Sequence, residues 1–180
     1  MRYISLCKRL YLTRTVASNM EQQLQEQFHK AFYDLVKRAV ENDDHDYIVQ
    51  LYVEIRERLA NMIIRKSGPA YQRLLSDFDV EFFEQRLRHK AFDAHSMASL
   101  VNTTFQWVHD LQMPMRDSDT DAAKQRVLST DTMAEMVPAY INEVHSCIDT
   151  MEKDMKEFYD NRNHPVVREM IKQSIVRSRQ

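Results

Sequence analysis

The sequence predicts an all-α protein, a single-domain irregular helical bundle of about six or seven helices. The 180 residues include one glycine, Gly68, and no Asn-Gly or Asp-Gly dipeptide, so the residues that tight β-hairpins usually need are missing. Apolar residues recur at intervals of three and four along most of the chain, and no long segment alternates with a period of two. A single glycine also excludes the glycine-rich dinucleotide fingerprint and the P-loop.

The first two helices are predicted from two apolar stripes that an acidic break separates. The first helix begins at Met20 and ends at residues 41–44. Its stripe consists of Leu24, Phe28, Ala31, Phe32, Leu35, Val36, Ala39 and Val40. Asp44 is the expected N-cap of the second helix. We expect Gly68 to be the C-cap of that helix and Pro69 to open the next one. The second apolar face consists of Tyr47, Ile48, Leu51, Tyr52, Ile55, Leu59, Met62 and Ile63.

Shorter helices are predicted in the middle of the chain. The first is indicated by Tyr71, Leu74 and Leu75. Asp79 is the expected cap of the next, and Asp93 caps a longer helix. The buried face of that longer helix is predicted to consist of Met97, Leu100, Val101, Thr104, Phe105 and Val108. Pro114 interrupts it, and the acidic residues 117–121 suit the start of another helix, where the dipole favours negative charge.

A long helix is predicted over residues 131–160. Its apolar face consists of Val137, Ile141, Val144, Ile148, Met151, Met155 and Phe158. Pro138 lies in its first two turns and predicts a kink or a slightly later start. Pro165 opens a last helix, whose apolar residues are Val166, Met170, Ile171 and Ile175. We therefore assign residues 20–180 to a helical domain and residues 1–19 to a basic N-terminal extension.

The charges are unevenly distributed, although the net charge is only −2. Residues 1–20 carry four basic residues and no acid, residues 161–180 carry five basic residues and one acid, and the body between them is acidic. An acidic body repels phosphate, so nucleic acid is not an expected partner. The basic amphipathic C-terminal segment, with Arg168 and Lys172, suits either an acidic groove or anionic lipid, or packing on the bundle.

The expected location is the cytoplasm. Two cysteines, Cys7 and Cys147, fit a reducing compartment, and no run of 18 apolar residues predicts a membrane span. The acid-free, basic first 19 residues have the composition of a mitochondrial transit peptide, which leaves a mitochondrial or membrane-surface protein as an alternative.

Candidate catalytic and metal-binding residues are few. Glu26 and His29 have the Glu-x-x-His spacing of di-iron bundles, but the second copy that such a site needs is missing. His89, Asp93 and His95 are the alternative of a metal-dependent or acid–base enzyme, although Asp93 also lies where a helix cap is needed. We expect no cofactor, no metal and no enzymatic activity.

Several segments resemble, in order, the motifs of one family. They are Phe-Tyr-Asp-Leu at 32–35, Glu-Ile-Arg-Glu-Arg-Leu at 54–59, Phe-Asp-Val-Glu-Phe-Phe-Glu-Gln at 78–85 followed by Ala-Phe-Asp at 91–93, Met-Pro-Met-Arg-Asp at 113–117, and Asp-Thr-Met-Glu-Lys-Asp-Met at 149–155 with Phe158. Over about residues 28–170 the chain resembles the N-terminal part of the T-complex protein 11 family. Gln112-Met113 stands where members often have Cys-Ala, and Glu157 stands where Asn is usual.

The resemblance implies an all-helical, non-enzymatic protein of signal transduction, linked in animals to cyclic-AMP-dependent signalling and sperm function. It implies other proteins as partners and leaves the oligomeric state open. The motif residues, with a structural or partner-binding role, are Glu54, Arg56, Arg58, Asp93, Pro114, Arg116, Asp117 and Asp154.

Physical roles follow for four of these residues. Glu54 and Arg58 have the spacing of a helix ion pair. Arg116 is expected to bond carbonyls or an acid of a neighbouring helix, and Asp117 to cap the next helix. The alternative places Arg116 in an exposed partner-binding groove.

Overall fold

The computed structural model describes residues 19–161 together with residues 164, 165 and 168. These residues form seven α-helices and one turn of 3-10 helix, without a strand among them, which confirms the all-α prediction. The helices are α1 Asn19–Glu41, α2 His45–Met62, α3 Pro69–Asp77, α4 Val80–Arg88, α5 Ala94–Leu111, the 3-10 helix Pro114–Arg116, α6 Asp117–Leu128 and α7 Met133–Asn161. The basic extension, up to residue 18, and most of the expected last helix lie outside the described residues.

The longest helix, α7, is the element around which the others pack. It contacts α1, α2, α5 and α6, while α2 also contacts α3, α4 and α5. The largest fully buried side chains lie where these helices meet: Phe78, Phe105, Ile55, Leu59, Leu74, Met97 and Ile148. Most of these residues are on the predicted apolar faces, because period 3.6 alone identifies the side of a helix that faces the core.

Three aspartates cap helices as the sequence predicts. Asp44, Asp79 and Asp93 precede α2, α4 and α5, and each accepts a hydrogen bond from the backbone N–H three residues later, at 3.2, 3.0 and 2.9 Å. Such a bond satisfies one of the free N–H groups of the first turn. Capping is predictable because the residue and the groups it bonds are neighbours in sequence.

The predicted C-cap at Gly68 is wrong. α2 ends earlier, at Met62, because Ile63 is extended (φ −84°, ψ 117°) and its N–H bonds to the carbonyl of Ala60. Gly68 instead precedes α3 in an extended conformation (φ −81°, ψ 164°), and Pro69 is the first residue of α3, as expected. The single glycine of the chain therefore begins a helix instead of ending one.

Two other residues adopt the left-handed conformation that glycine favours. Asp43, after α1, has φ 55°, and Lys90, after α4, has φ 54°. At both positions the N–H of the next residue bonds to the carbonyl five residues before it, at 2.8 Å, which is the Schellman arrangement. Both helices thus end on a left-handed residue with a side chain, which costs conformational energy that glycine would not.

We expect Lys90→Gly to stabilise the protein by about 1 kcal/mol, because it relieves the left-handed strain and removes only an exposed ion pair. Urea unfolding followed by the fluorescence of the single tryptophan, buried Trp107, measures the change. The control is Lys153→Gly within α7, where the same replacement is expected to destabilise by about 1 kcal/mol. A loss of stability in both variants would contradict the assignment of strain to Lys90.

The apolar stripe of α1 divides into two edges. Phe32, Val36, Ala39 and Val40 are buried or half-buried against the core. Leu24, Phe28, Ala31 and Leu35 are exposed, with exposures of 46 %, 46 % and 50 % for the three large side chains. At 100° per residue the two sets are centred roughly 90° apart around the helix, so one core surface does not cover both. The sequence shows one stripe because both edges are apolar.

Pro138 lies within α7 and is buried. α7 begins at Met133, two residues after the predicted start at residue 131, so the slightly later start is confirmed, although Pro138 itself lies inside the helix. Proline removes a single backbone hydrogen bond there, close to the helix start, and its ring is covered by the core.

Candidate functional site

The motif residues of α2 meet α7 through Arg58. Its Nη1 donates to Nδ1 of His145 at 2.7 Å, and its Nη2 lies 2.5 Å from Oδ1 of Asp149 and 3.1 Å from Oε2 of Glu152. The Arg58 side chain is only 14 % exposed. We call these four residues the Arg58 cluster. Because Arg58 and Asp149 come from the second and the last motif, the cluster joins segments 91 residues apart.

His145 is the neutral member of the Arg58 cluster. A guanidinium only donates hydrogen bonds, so Nδ1 of His145 accepts and the proton of the ring is on Nε2. Burial, with a further contribution from the charge of Arg58, lowers the pKa of His145 to about 4. The cluster therefore combines one cation, two carboxylates and an uncharged imidazole.

Arg116 makes a second connection to α7. Its Nε donates to Oδ2 of Asp154 at 2.9 Å and its Nη2 to Oδ1 at 3.0 Å, the two-bond geometry that suits a guanidinium and a carboxylate. The Asp154 side chain is 9 % exposed, whereas that of Arg116 is 34 % exposed. The Arg116–Asp154 contact is the predicted one with an acid of a neighbouring helix. It gives both of these motif residues a structural role.

The two arginines contact different sides of α7. Asp154 follows Asp149 by five residues, which places the two carboxylates roughly 140° apart around the helix. Arg58 reaches one side from α2, and Arg116 reaches the other from the 3-10 helix. The C-terminal half of α7 is thus held from two directions by motif residues.

Asp117 does not cap α6, contrary to expectation. It is the first residue of α6, and its Oδ1 accepts from the side chain of Gln112 at 2.8 Å and lies 3.1 Å from Nδ1 of His109. These two contacts, the Gln112 amide first, lower the pKa of Asp117. Gln112 also accepts from Thr120 at 2.6 Å, and His109 lies 3.0 Å from Asp121. These contacts join side chains before α6 to side chains in its first turns, and α6 begins without a side-chain cap.

Three further motif residues, Glu54, Arg56 and Pro114, lie in α2 and in the 3-10 helix. Glu54 and Arg56 are half-buried on α2, and Pro114 begins the 3-10 helix. The contacts of Arg58 described above reach α7, and its ion pair with Glu54 within α2 stays a prediction.

The alternative catalytic group is exposed. His89, Asp93 and His95 all lie at the surface, and Asp93 accepts hydrogen bonds from the backbone and the hydroxyl of Ser96, which lower its pKa. The carboxylate of Asp93 is thus used to begin α5.

The described part of the chain holds neither a cluster of metal ligands nor a helix that could span a membrane. Among those residues no group of three or more His, Cys, Asp or Glu side chains is placed to hold a metal ion. None of the helices formed by residues 19–161 combines the length and the hydropathy that a bilayer span requires.

Sequence reasoning missed three of the four residues in the Arg58 cluster as site residues. His145, Asp149 and Glu152 are spaced by four and three, so they share one face of α7. That spacing is visible in the sequence, but only the packing of α2 on α7 shows that a buried arginine meets it.

The fold and these contacts define a class: an all-helical protein whose distinctive motifs converge on one long helix. A family model described as T-complex protein 11 matches residues 8–159. The chain therefore belongs to the T-complex protein 11 family, as the resemblance indicates. Comparisons with curated proteins and with solved structures gave no match.

Proposed function

We propose that this chain is a non-enzymatic helical module that binds an amphipathic helix of another protein. The observation that carries the proposal is the exposed edge of α1 formed by Leu24, Phe28, Ala31 and Leu35, which we call the α1 stripe. Contiguous exposed apolar side chains are typical of interaction surfaces.

The spacing of the α1 stripe suits a helical partner. Its four residues follow one another at intervals of four, three and four, which is the a/d pattern of a coiled-coil seam. α1 is 23 residues long, which is enough for a second helix to pack along the stripe. We infer a partner segment with apolar residues at the same spacing.

The contacts of the charged motif residues support a non-enzymatic role. Arg58 and Arg116 are bonded to acids of α7, and Asp93 to the start of α5. The two arginines thus join helices, and Asp93 caps one. The proposed place in signal transduction rests on the family, and we propose the cytoplasm as the site of action.

We expect Phe28→Glu combined with Leu35→Glu to abolish partner binding while preserving the fold. The matched control is Lys30→Glu with Lys37→Glu, the same residue spacing on a face roughly 160° away around α1. Quantitative affinity capture from the natural host compares both variants with the wild type, and circular dichroism checks the fold.

A set of proteins lost at least about tenfold from the stripe variant and retained by the control would support the proposal. Equal capture by both variants would refute it. Light scattering provides a second outcome: a wild-type dimer that Phe28→Glu and Leu35→Glu dissociate would show that the stripe binds a second copy instead.

A further inference from the structure

A cavity of about 240 Å³ lies between α1, α2, α4, α5 and α7. Apolar side chains from these helices form its walls, among them Ile55, Phe83, Met97, Leu100, Val137 and Ile141. It is separate from the Arg58 cluster and from the α1 stripe, and three residues of the motif segments, Ile55, Phe83 and Phe92, line it. We call it the central cavity.

The walls of the central cavity are mostly apolar, and two tyrosines, Tyr52 and Tyr140, are among them. The hydroxyl of Tyr140 is already 2.9 Å from the hydroxyl of Thr104. Among the described residues every fully buried side-chain nitrogen or oxygen has a hydrogen-bond partner. A cavity with such walls favours hydrocarbon over water, since a bound water needs two to four polar partners.

The mouth of the central cavity is polar. Lys90, Asp43 and His45 line it, and the Lys90 and Asp43 side chains are 75 % and 60 % exposed. The carboxylate of Asp43 lies 3.0 Å from Nζ of Lys90 and 3.8 Å from Nε2 of His45. The Lys90 ammonium and the His45 ring nitrogen on the rim therefore both lie near the Asp43 carboxylate.

We propose that the central cavity binds a medium-chain monocarboxylate, with the alkyl chain inside and the carboxylate at Lys90. The proposal is independent of the function of the α1 stripe. It rests on a mostly apolar interior, a polar rim and a lysine at that rim with two N–H donors free.

The volume sets the chain length. A cavity of about 150 Å³ holds a benzene molecule of six carbons, so 240 Å³ corresponds to about ten carbons by proportion. A chain of eight to ten carbons, roughly that of decanoate, thus fits, whereas a much longer one extends past the rim.

Lys90 supplies hydrogen-bond donors for an anionic head at the rim, beside the Asp43 carboxylate. Lys90 carries three N–H donors and uses one on Asp43, while His45 adds a second nitrogen group. The hydrogen bond and charge of Lys90 lower the pKa of Asp43, so Lys90 already acts on one carboxylate. A ligand carboxylate at Lys90 uses the two N–H donors that the bond to Asp43 leaves free.

Nuclear magnetic resonance of the full chain with ¹³C-labelled methionine methyl groups tests the proposal, with decanoate as the probe. Met97 and Met133 line the cavity, and their resonances are expected to shift and saturate. Met113 and Met115 are exposed elsewhere and are the internal control. No saturable shift of Met97 and Met133, or equal shifts of all four, would overturn the proposal.

Two variants test separately the binding of the alkyl chain and of the carboxylate of decanoate. Val137→Phe fills the cavity and is expected to abolish decanoate binding, with Leu100→Phe as the substitute if that variant does not fold. Lys90→Met is expected to weaken decanoate binding about tenfold, whereas Lys153→Met on the exposed side of α7 leaves it unchanged. Decanoate shifts that persist in a folded cavity-filling variant would overturn the proposal.

The head group has its own test with probes of equal length. Decanol is expected to bind more weakly than decanoate and to be insensitive to Lys90→Met. Decylamine binding more tightly than decanoate, or decanol binding equally well, would overturn the assignment of a carboxylate.

Discussion

Acidification from pH 7 to pH 4 is expected to cost the fold about 3 kcal/mol through His145 alone. The folded protein keeps this imidazole neutral, because its pKa is lowered from 6.5 to about 4. The unfolded chain takes up the proton at pH 6.5, so acid favours unfolding across the window between the two values. Each pH unit in that window is worth about 1.4 kcal/mol.

The loss of stability through His145 has a defined direction and pH range. The contribution of His145 is fully present above pH 6.5 and is lost as the pH falls towards 4. Asp43, Asp93 and Asp117, whose pKa values are lowered by their hydrogen-bond partners, lose their contributions only below their usual range near 3.8. The histidine effect therefore precedes the carboxylate effects during acidification.

Urea unfolding at several pH values between 7 and 4.5, with the wild type beside His145→Asn, measures the effect. The Asn amide oxygen can accept from Arg58 without titrating, so the variant is expected to show a flatter pH dependence. His29→Asn, at an exposed position of α1, is the control and is expected to follow the wild type. Identical slopes for wild type and His145→Asn would show that the ring is not held neutral.

Arg116→Ala is expected to lower the melting temperature by about 6 °C. It removes both hydrogen bonds to Asp154 and leaves a carboxylate that is only 9 % exposed without its cation. Breaking such a pair from one side is far more costly than replacing both partners, because the remaining charge is poorly hydrated.

Three comparisons test this interpretation of Arg116. Arg116→Met with Asp154→Leu is expected to recover much of the loss, and Arg116→Lys to fall between, since lysine lacks the two-bond geometry. Arg126→Ala is the control, because Arg126 binds Glu143 through two bonds but is 59 % exposed, and its effect is expected to be smaller. An unchanged melting temperature with lost partner capture would instead place Arg116 in a partner-binding surface.

Local features of the fold could be predicted from sequence, and contacts between distant helices could not. The caps at Asp44, Asp79 and Asp93 depend on groups three residues away. Gly68 failed as a cap because α2 ends five residues earlier than the glycine suggests. Glycine next to proline suits both the end of one helix and the start of another, and sequence alone does not separate the two.

In the candidate sites, too, the residues could be predicted from sequence but their contacts with distant helices could not. The motifs include both Arg116 and Asp154, but the sequence does not show that the two side chains form a pair. That contact depends on α7 packing beside the 3-10 helix. The α1 stripe and the central cavity depend on which apolar side chains the other helices cover, and that is a property of the whole packing. Apolar periodicity predicts which face of a helix is apolar, but it does not predict whether another helix covers that face.

The two arginine contacts with α7 differ in the length of chain that they close. Arg116 and Asp154 are 38 residues apart, whereas Arg58 and Asp149 are 91 residues apart. Loop-closure entropy grows with the logarithm of this separation, so the longer loop costs about 0.8 kcal/mol more to close. The shorter loop holds the 3-10 helix, α6 and α7, which can assemble first, and α2 then docks on a helix that is already in place.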